Sequence, residues 1–412
     1  MIPAPFAVAL ALGALAPVSI AQSGWSTPVL EPTLNTSASD TGPDLSYDGL
    51  TLHLASFSSG NWEIYEATRA SRTAPFGAPV LVSALSDPST DSGAFLSADG
   101  LQLWFDSLRP GGFGGFDLWV ATRPNTAAPW GAPTQDPVLS STGSDASLSM
   151  TADGLEAYFL TTGHGAPNAP NNSIFRATRT STALPFNAPA VVPEVLTTSS
   201  HRDVEISDDG LALIYTVSDP ATRRLRVMRA TRLSRSLPFD PPQPMVEFDT
   251  TGTLSGVFSA TTSSDGTEMF LAAGFAVAAG SQEILSSRFT GLAASGIAST
   301  SGAMNLTVRD PLGANKVYAL ALSLGNTGFP FGSRTVPIDL DTTFVYTFGV
   351  SIPGVTANFA GFLDAQGEAV ATLQNPAPLY IGTVVYACGF VIDPLAELGV
   401  QTITNAVAVR LH

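Results

Sequence analysis

Acidic side chains return along this chain at intervals of about fifty residues: Asp40 with Asp44, then Asp91, then Asp145, then Asp203 with Glu205. Two carboxylates held roughly 5–10 Å apart suffice for glycoside hydrolysis, one protonating the leaving oxygen while the other serves as base or nucleophile. The same oxygens suit Ca2+, a hard cation, although no Asp-x-Asp-x-Asp loop is present to organise it. Among the acids lie Asn61, Trp62, Arg109, Phe113, His164, Arg223 and Arg224, aromatic, amide and cationic groups of the kind that grip a ligand. From these we select Trp62, Asp91, Arg109, Phe113, Asp145, His164 and Asp203 as candidate ligand-binding residues. None is assigned a catalytic role, and no metal ligand is assigned.

Other chemistries lack their residues. The chain has no Gly-x-Ser-x-Gly elbow, no His-Glu-x-x-His and no Gly-x-x-x-x-Gly-Lys. Its four histidines are His53, His164, His201 and His412; His53 falls inside a strand pattern, where a core or cross-strand role is expected. The glycine-rich run from Pro110 to Gly115 is followed by no helix, so the N-terminal amide donors that hold phosphate are missing. One cysteine, Cys388, rules out an intramolecular disulfide, and no Cys/His cluster suits zinc. A net charge of −16 argues against nucleic acid and against an anionic membrane surface, both of which need clustered positive charge.

The elements that place these residues are repeats. Asp-Gly recurs at Asp48-Gly49, Asp99-Gly100, Asp153-Gly154, Asp209-Gly210 and Asp265-Gly266, the glycines 51, 54, 56 and 56 residues apart. An Ala-Thr-Arg triplet ends at Arg69, Arg123, Arg179 and Arg232, with a weaker Ser-Ser-Arg at Arg288. After the first four arginines comes a Pro-aromatic-x-x-Pro pattern, carried by Phe76, Trp130, Phe186 and Phe239. Asp-Gly between alternating apolar runs predicts a two-residue hairpin with both central residues at positive φ. Strands before and after the turn, a third ending in the arginine triplet and a fourth at the edge-tolerant prolines make a four-stranded unit. Such a unit cannot bury both faces alone, and repeated units of this kind make a β-propeller. The pattern around Glu283, where other units have Ile, Leu or Val, predicts a bulge.

The fifth unit lacks its proline-bearing strand, and the missing copy lies at the N-terminus as Trp25-Ser-Thr-Pro28-Val-Leu30. We therefore expect five blades closed by the N-terminal strand, with the candidate residues on the face formed by the second-to-third-strand loops. Beyond Thr290 the repeat stops, and strands are expected at Leu306–Val308, Val317–Leu322, Phe344–Phe348, Ala369–Leu373, Val384–Ala387 and Val407–Leu411. Their spacing suggests a β-sandwich. Residues 1–21 read as a signal peptide, with an uncharged run from Phe6 to Ile20 and a small-x-small site ending at Ala21. The expected organisation is all-β: signal peptide 1–21, propeller 22–289 and sandwich-like module 290–412.

The stretch from Leu96-Ser-Ala-Asp-Gly-Leu-Gln-Leu-Trp-Phe105 through Ser107-Leu-Arg-Pro-Gly-Gly-Phe-Gly-Gly-Phe-Asp-Leu-Trp-Val120 resembles the WD40-like, TolB-type propeller repeat of exported bacterial proteins. The likeness covers about 265 of the 412 residues. It implies a propeller used mainly for protein or ligand contact, and no catalytic residue is carried over because the family shares none. The C-terminal part similarly resembles the small all-β modules that follow propellers in some secreted proteins. Together these readings predict an exported, monomeric, non-enzymatic scaffold that binds a protein or cell-envelope glycan, without a cofactor or a membrane span. The alternative is a secreted glycosidase using a carboxylate pair at the channel mouth.

Overall fold

The structure is a computed structural model. It describes residues 24–411 except 166–171, 198, 220–223, 233, 249–253, 276–281, 296–302, 311–312, 332–333, 354, 376–379, 381–382, 397, 399 and 405–406. The expected signal peptide, Arg223 and His412 lie outside the described residues. The chain divides into two compact units, one built on residues 25–289 and one on residues 298–412. No helix among the described residues is long and apolar enough to cross a membrane.

The first unit is a series of four-stranded antiparallel sheets, the pattern of a β-propeller. Sheet 1 contains Asp40–Leu45, Thr51–Ser56, Glu63–Thr68 and Val80–Leu81. Sheet 2 contains Asp91–Leu96, Gln102–Ser107, Asp117–Thr122 and Thr134–Gln135. Sheet 3 contains Asp145–Met150, Glu156–Thr161, Ser173–Thr178 and Ala190–Val191. Sheet 4 contains His201–Ile206, Ala212–Ser218, Leu225–Thr231 and Gln243–Pro244. Sheet 5 contains Leu254–Thr262, Glu268–Phe275 and the start of Gln282–Ser295, on which Val29 and Leu30 pair opposite Ser286 and Leu285. The short fourth strand always follows the second proline of the aromatic motif.

Apolar residues fill the spaces between successive sheets. Ile64 meets Phe105 and Trp119, Tyr158 meets Val204 and Tyr215, and Leu54 and Phe76 of sheet 1 meet Phe270 and Ile284 of sheet 5. Residues of the first strands also bond to the neighbouring sheet. Leu96 N–H donates to Asp44, Ser147 N–H to Asp106, Ile206 N–H to Ser149, Ala260 N–H to Asp203 and Gly42 N–H to Ser259, at 2.8–3.1 Å.

The structure corrects the hairpin expectation while explaining its motif. Only the glycine of each Asp-Gly pair has positive φ, from 66° to 74°. The aspartate instead folds the turn with its side chain. Asp48 Oδ1 accepts the Ser46 hydroxyl and the Leu50 N–H, and the same pair of bonds recurs at Asp99, Asp153, Asp209 and Asp265. A Ser/Thr-x-Asp-Gly sequence is therefore a side-chain-locked turn. The arginine of the triplet then clamps it. Arg69, Arg123, Arg179 and Arg232 each donate Nε–H to the turn glycine's carbonyl at 2.7 Å, while the guanidinium lies 4.1–4.6 Å from the centroid of Phe76, Trp130, Phe186 or Phe239. Turn, arginine and aromatic thus form one device. Replacing Arg179 by Ala removes a charged hydrogen bond and a cation–π contact, an expected loss of about 2 kcal/mol. A thermal melt should show a fall of roughly 4–8 °C.

The expected bulge at Glu283 is also corrected: pairing runs without a shift from Gln282 to Arg288. Bulges occur in the first strand of every sheet instead, between Thr41 and Asp44, Ser92 and Phe95, Ala146 and Ser149, His201 and Asp203, and Val257 and Ser259.

In the second unit, Ala360–Phe362, Val317–Ser323, Val384–Ile392 and Val400–Ile403 form a sheet, with Val407–Arg410 also paired to Val384–Ile392. Ala303–Arg309 pairs with Glu368–Gln374, which pairs with Thr356–Ala357. Leu306, Val308 and Leu373 from these strands share one core with Leu320, Leu322 and Val391 of the larger sheet. The opposite face of that sheet, at Ala321, Cys388 and Phe390, is covered by Val336, Ile338 and Phe344. Burial pushes the Cys388 thiol up to about 12, which leaves it unreactive. The expected strand at Phe344–Phe348 is wrong. Thr342–Thr347 is a short α-helix whose first turn is capped by Asp341 accepting the Phe344 N–H.

Candidate functional site

The first strands of the five sheets converge on a narrow channel lined by Asp44, Phe95, Ser147, Asp203, Glu205 and Thr261 among others. Space open to the centre of a water molecule amounts to about 40 Å3. That admits a few water-sized groups and is too little for a sugar ring.

The bulges decide which acids reach this channel. Asp44, Asp203 and Glu205 follow the bulge of their strand and line the channel, where each accepts a backbone N–H from the next sheet. Glu205 also accepts the Thr262 hydroxyl at 2.6 Å, while its Oε2 is buried without a partner. Burial raises the Asp44 carboxyl to about 6 and the Asp203 carboxyl to about 7. Glu205 is pushed well above the usual range, first by burial and further by the negative charges of Asp203 and Asp44. Ser147 adopts φ 53°, a left-handed conformation costly for a non-glycine residue, at the position where sheets 1 and 2 have Gly42 and Gly93.

The acids that begin the strands do something else. Asp40 turns back to accept the Thr36 N–H at 2.6 Å, and Asp145 accepts the Ser141 N–H at 2.5 Å and the Ser141 hydroxyl at 2.8 Å. Asp91 is paired with Arg109, whose Nη2 lies 3.0 Å from both carboxylate oxygens and donates to the Leu85 carbonyl at 2.8 Å. The guanidinium sits 4.7 Å from the Phe105 ring centroid and 5.4 Å from that of Trp119. His164 lies 3.8 Å from Asp145 and 3.0 Å from the Leu139 carbonyl. These four candidates hold loops in place.

Trp62 and Phe113 remain, in the second-to-third-strand loops of sheets 1 and 2. The Trp62 ring meets Phe57 edge-on at 5.6 Å, and Phe57, Leu108 and Phe113 are 44%, 47% and 53% exposed. The two loops are neighbours. Asp91 N–H donates to the Trp62 carbonyl, and Leu108 N–H donates to the carbonyl of Thr90, one residue away. Sequence reasoning missed Phe57 and Leu108, which carry no motif, and Asp106, which binds the Ser92 hydroxyl at 2.5 Å.

The seven candidates thus divide into three places: Asp203 in the channel, Asp91, Arg109, Asp145 and His164 in loop anchoring, and Trp62 and Phe113 on the exposed loops. Among the described residues no cluster of three or more His, Cys, Asp or Glu side chains is placed to hold a metal ion.

A pH prediction follows from the channel. A carboxyl raised in the folded state binds protons that the unfolded chain has lost, so its ionisation destabilises the fold as pH climbs from about 4 to about 7. Asp203→Asn should raise the melting temperature by several degrees at pH 8 and leave it unchanged at pH 4; equal effects at both would contradict the sign.

No protein-family profile and no curated sequence relative matches the chain. Solved structures of TolB-type and other propeller proteins do match. TolB from Acinetobacter baumannii is 12% identical, over 63% of this chain and 56% of that one, with TM-score 0.38. A GH62 hydrolase in complex with xylotriose is 10% identical, over 65% and 97%, with TM-score 0.44. The calcium-binding protein regucalcin from Agrobacterium tumefaciens is 11% identical, over 65% and 95%, with TM-score 0.38. Each is a likeness of fold alone, and this chain spans little more than half the length of the Acinetobacter TolB.

Proposed function

We propose that residues 25–289 form a five-bladed propeller closed by the N-terminal strand, and that it is an exported, non-enzymatic scaffold docking a protein partner through its second-to-third-strand loops. Closure is supported by the bond from Gly42 to Ser259 and by Val29 and Leu30 pairing on sheet 5. The apolar run Phe6 to Ile20 is the support for export. The docking reading rests on one observation: Phe57, Trp62, Leu108 and Phe113 are presented from two adjacent loops whose charged groups are spent on internal anchoring. Exposed apolar groups gathered on neighbouring loops of an acidic protein mark an interaction surface.

The triple variant Phe57→Ser, Trp62→Ala, Phe113→Ser should lose at least tenfold in capture of cell-envelope proteins by the immobilised protein, with an unchanged melting temperature. Undiminished capture would sink the assignment. A cell-envelope glycan as the partner predicts capture by purified glycan instead. The channel that holds Asp44 and Asp203 is too narrow for a sugar ring, which disfavours the glycosidase alternative; sugar release that Asp203→Asn abolishes would reinstate it.

A further inference from the structure

The second unit carries an apolar surface of its own. Leu340, Val345, Tyr346, Phe348 and Val350, large apolar residues close together in sequence, are all exposed. Leu324 joins them, because its N–H donates to Asp341 at 2.8 Å. Leu324, Leu340, Val345 and Tyr346 are 59–70% exposed. A helix resting on a sheet normally turns polar residues outward. The helix Thr342–Thr347 instead exposes Val345 and Tyr346 and buries Thr347.

That segment is fastened to the sheet beneath it. The Thr347 hydroxyl accepts the Leu322 N–H at 2.8 Å, and the Gly349 N–H donates to the Leu320 carbonyl at 2.7 Å. Phe344 meets Phe390 edge-on, with ring centroids 6.1 Å apart. The exposed groups are therefore held in place before any partner arrives, which lowers the ordering cost of binding. Two carboxylates flank Leu340. Hydrogen bonds from the Thr327 hydroxyl and the Gly328 N–H hold Asp339 below the usual carboxylate range, and, against the effect of burial, the Phe344 and Leu324 amides do the same for Asp341. Both are ionised at neutral pH, they repel each other, and neither has an ion-pair partner among the described residues. Between Lys316 and Arg410 the chain has a single cation, Arg334.

Charge decides what can cover such a surface. An anionic leaflet is repelled by it, and a second copy of the chain brings the same two carboxylates. An apolar segment that also carries Lys or Arg complements it in both respects. We infer that residues 340–350, with Leu324, form a docking surface for a protein partner that seats apolar side chains on Val345 and Tyr346 and sets a lysine or arginine against Asp339 and Asp341. This surface does not rest on the reading of the propeller loops and stands or falls separately from it.

Selection of random peptides on the immobilised full chain tests this. It should recover sequences in which Lys or Arg stands beside Leu, Phe or Tyr. Val345→Ser with Tyr346→Ser should weaken a recovered peptide about tenfold, at an unchanged melting temperature because both side chains are exposed. Asp339→Asn with Asp341→Asn keeps the helix cap, since Asn also caps, and should weaken the peptide severalfold while flattening its salt dependence. Should the double variant melt early, Asp339→Asn alone carries the same test. Recovery of acidic or uncharged peptides, or Asn variants that bind as tightly as the parent, would overturn the inference. Binding lost instead with the Phe57, Trp62, Phe113 variant would overturn it too, by placing the peptide on the propeller loops. Dimerisation, or binding to phosphatidylcholine vesicles, that Val345→Ser with Tyr346→Ser abolishes would overturn it in favour of a second copy or a lipid surface.

Discussion

A chain lacking residues 25–31 is expected to lose the cooperative melt of its propeller, with a fall of roughly 10–20 °C or outright unfolding of sheet 5. The segment is short, but its contacts are distributed along the third strand of that sheet. Ser26 N–H donates to the Arg288 carbonyl at 2.9 Å and Glu31 N–H to the Ile284 carbonyl at 3.0 Å. The Ser287 hydroxyl donates to the Ser26 carbonyl at 2.7 Å, and the Ser286 hydroxyl to Glu31. Trp25 packs against Phe248 and Phe289, with centroids 6.1 and 5.4 Å away. Four hydrogen bonds at about 1 kcal/mol each, with a partly buried tryptophan at about 2 kcal/mol, amount to roughly 6 kcal/mol. Domains hold only about 5–15 kcal/mol in total. An unchanged melting temperature would show that the strand is decoration, not closure.

That strand was legible because Trp25-Ser-Thr-Pro28-Val-Leu30 repeats the Phe76-Gly-Ala-Pro79-Val-Leu81 pattern, and a repeat needs no energetics to be seen. The Arg clamps were legible only as spacing. Nothing in Ala-Thr-Arg tells that Arg179 reaches back to the Gly154 carbonyl, because that contact depends on how the second and third strands pair. Phe344–Phe348 failed for a different reason. Its alternation of aromatic, β-branched and polar residues satisfies a strand pattern, but Asp341 three residues earlier caps a helix, and one local hydrogen bond outweighed propensity.

The candidate site shows the same limit more sharply. Asp91, Asp145 and Asp203 looked equivalent as acids preceding an Asp-Gly turn. In the fold, the first two begin their strands and anchor loops, whereas Asp203 follows the bulge and enters the channel. A bulge adds one residue to one strand and re-aims the side chains beyond it, and no residue type announces it reliably. Gly42 and Gly93 were a partial signal, since their φ values of 58° and 56° mark the bulge in sheets 1 and 2; Ser147 hides it in sheet 3.

Glu268→Ala should be the most damaging single substitution in the propeller, costing about 3–5 kcal/mol. Glu268 lies between sheets 5 and 1 at the centre of three arginines. Arg69 reaches it at 2.7 Å, Arg288 at 2.7 Å and Arg72 at 3.6 Å, and Arg72 also binds Asp265 at 2.6 Å. The Arg69 and Glu268 side chains are both almost fully buried, so removal of the carboxylate strands a guanidinium with no water to solvate it. Arg232 and Glu156 make the same contact at 2.8 Å between sheets 4 and 3, and Glu156→Ala is expected to cost a similar amount. The discriminating experiment is the double variant Arg69→Met, Glu268→Leu. Removing both charges eliminates the desolvation cost along with the attraction, so stability should recover most of the loss seen in Glu268→Ala. A double variant as unstable as the single one would mean that the seam depends on the hydrogen bond from Arg69 to the Gly49 carbonyl, 2.7 Å away, more than on the ion pair. The clamp on the turn within sheet 1, not the charge pairing across the seam, would then carry the stability.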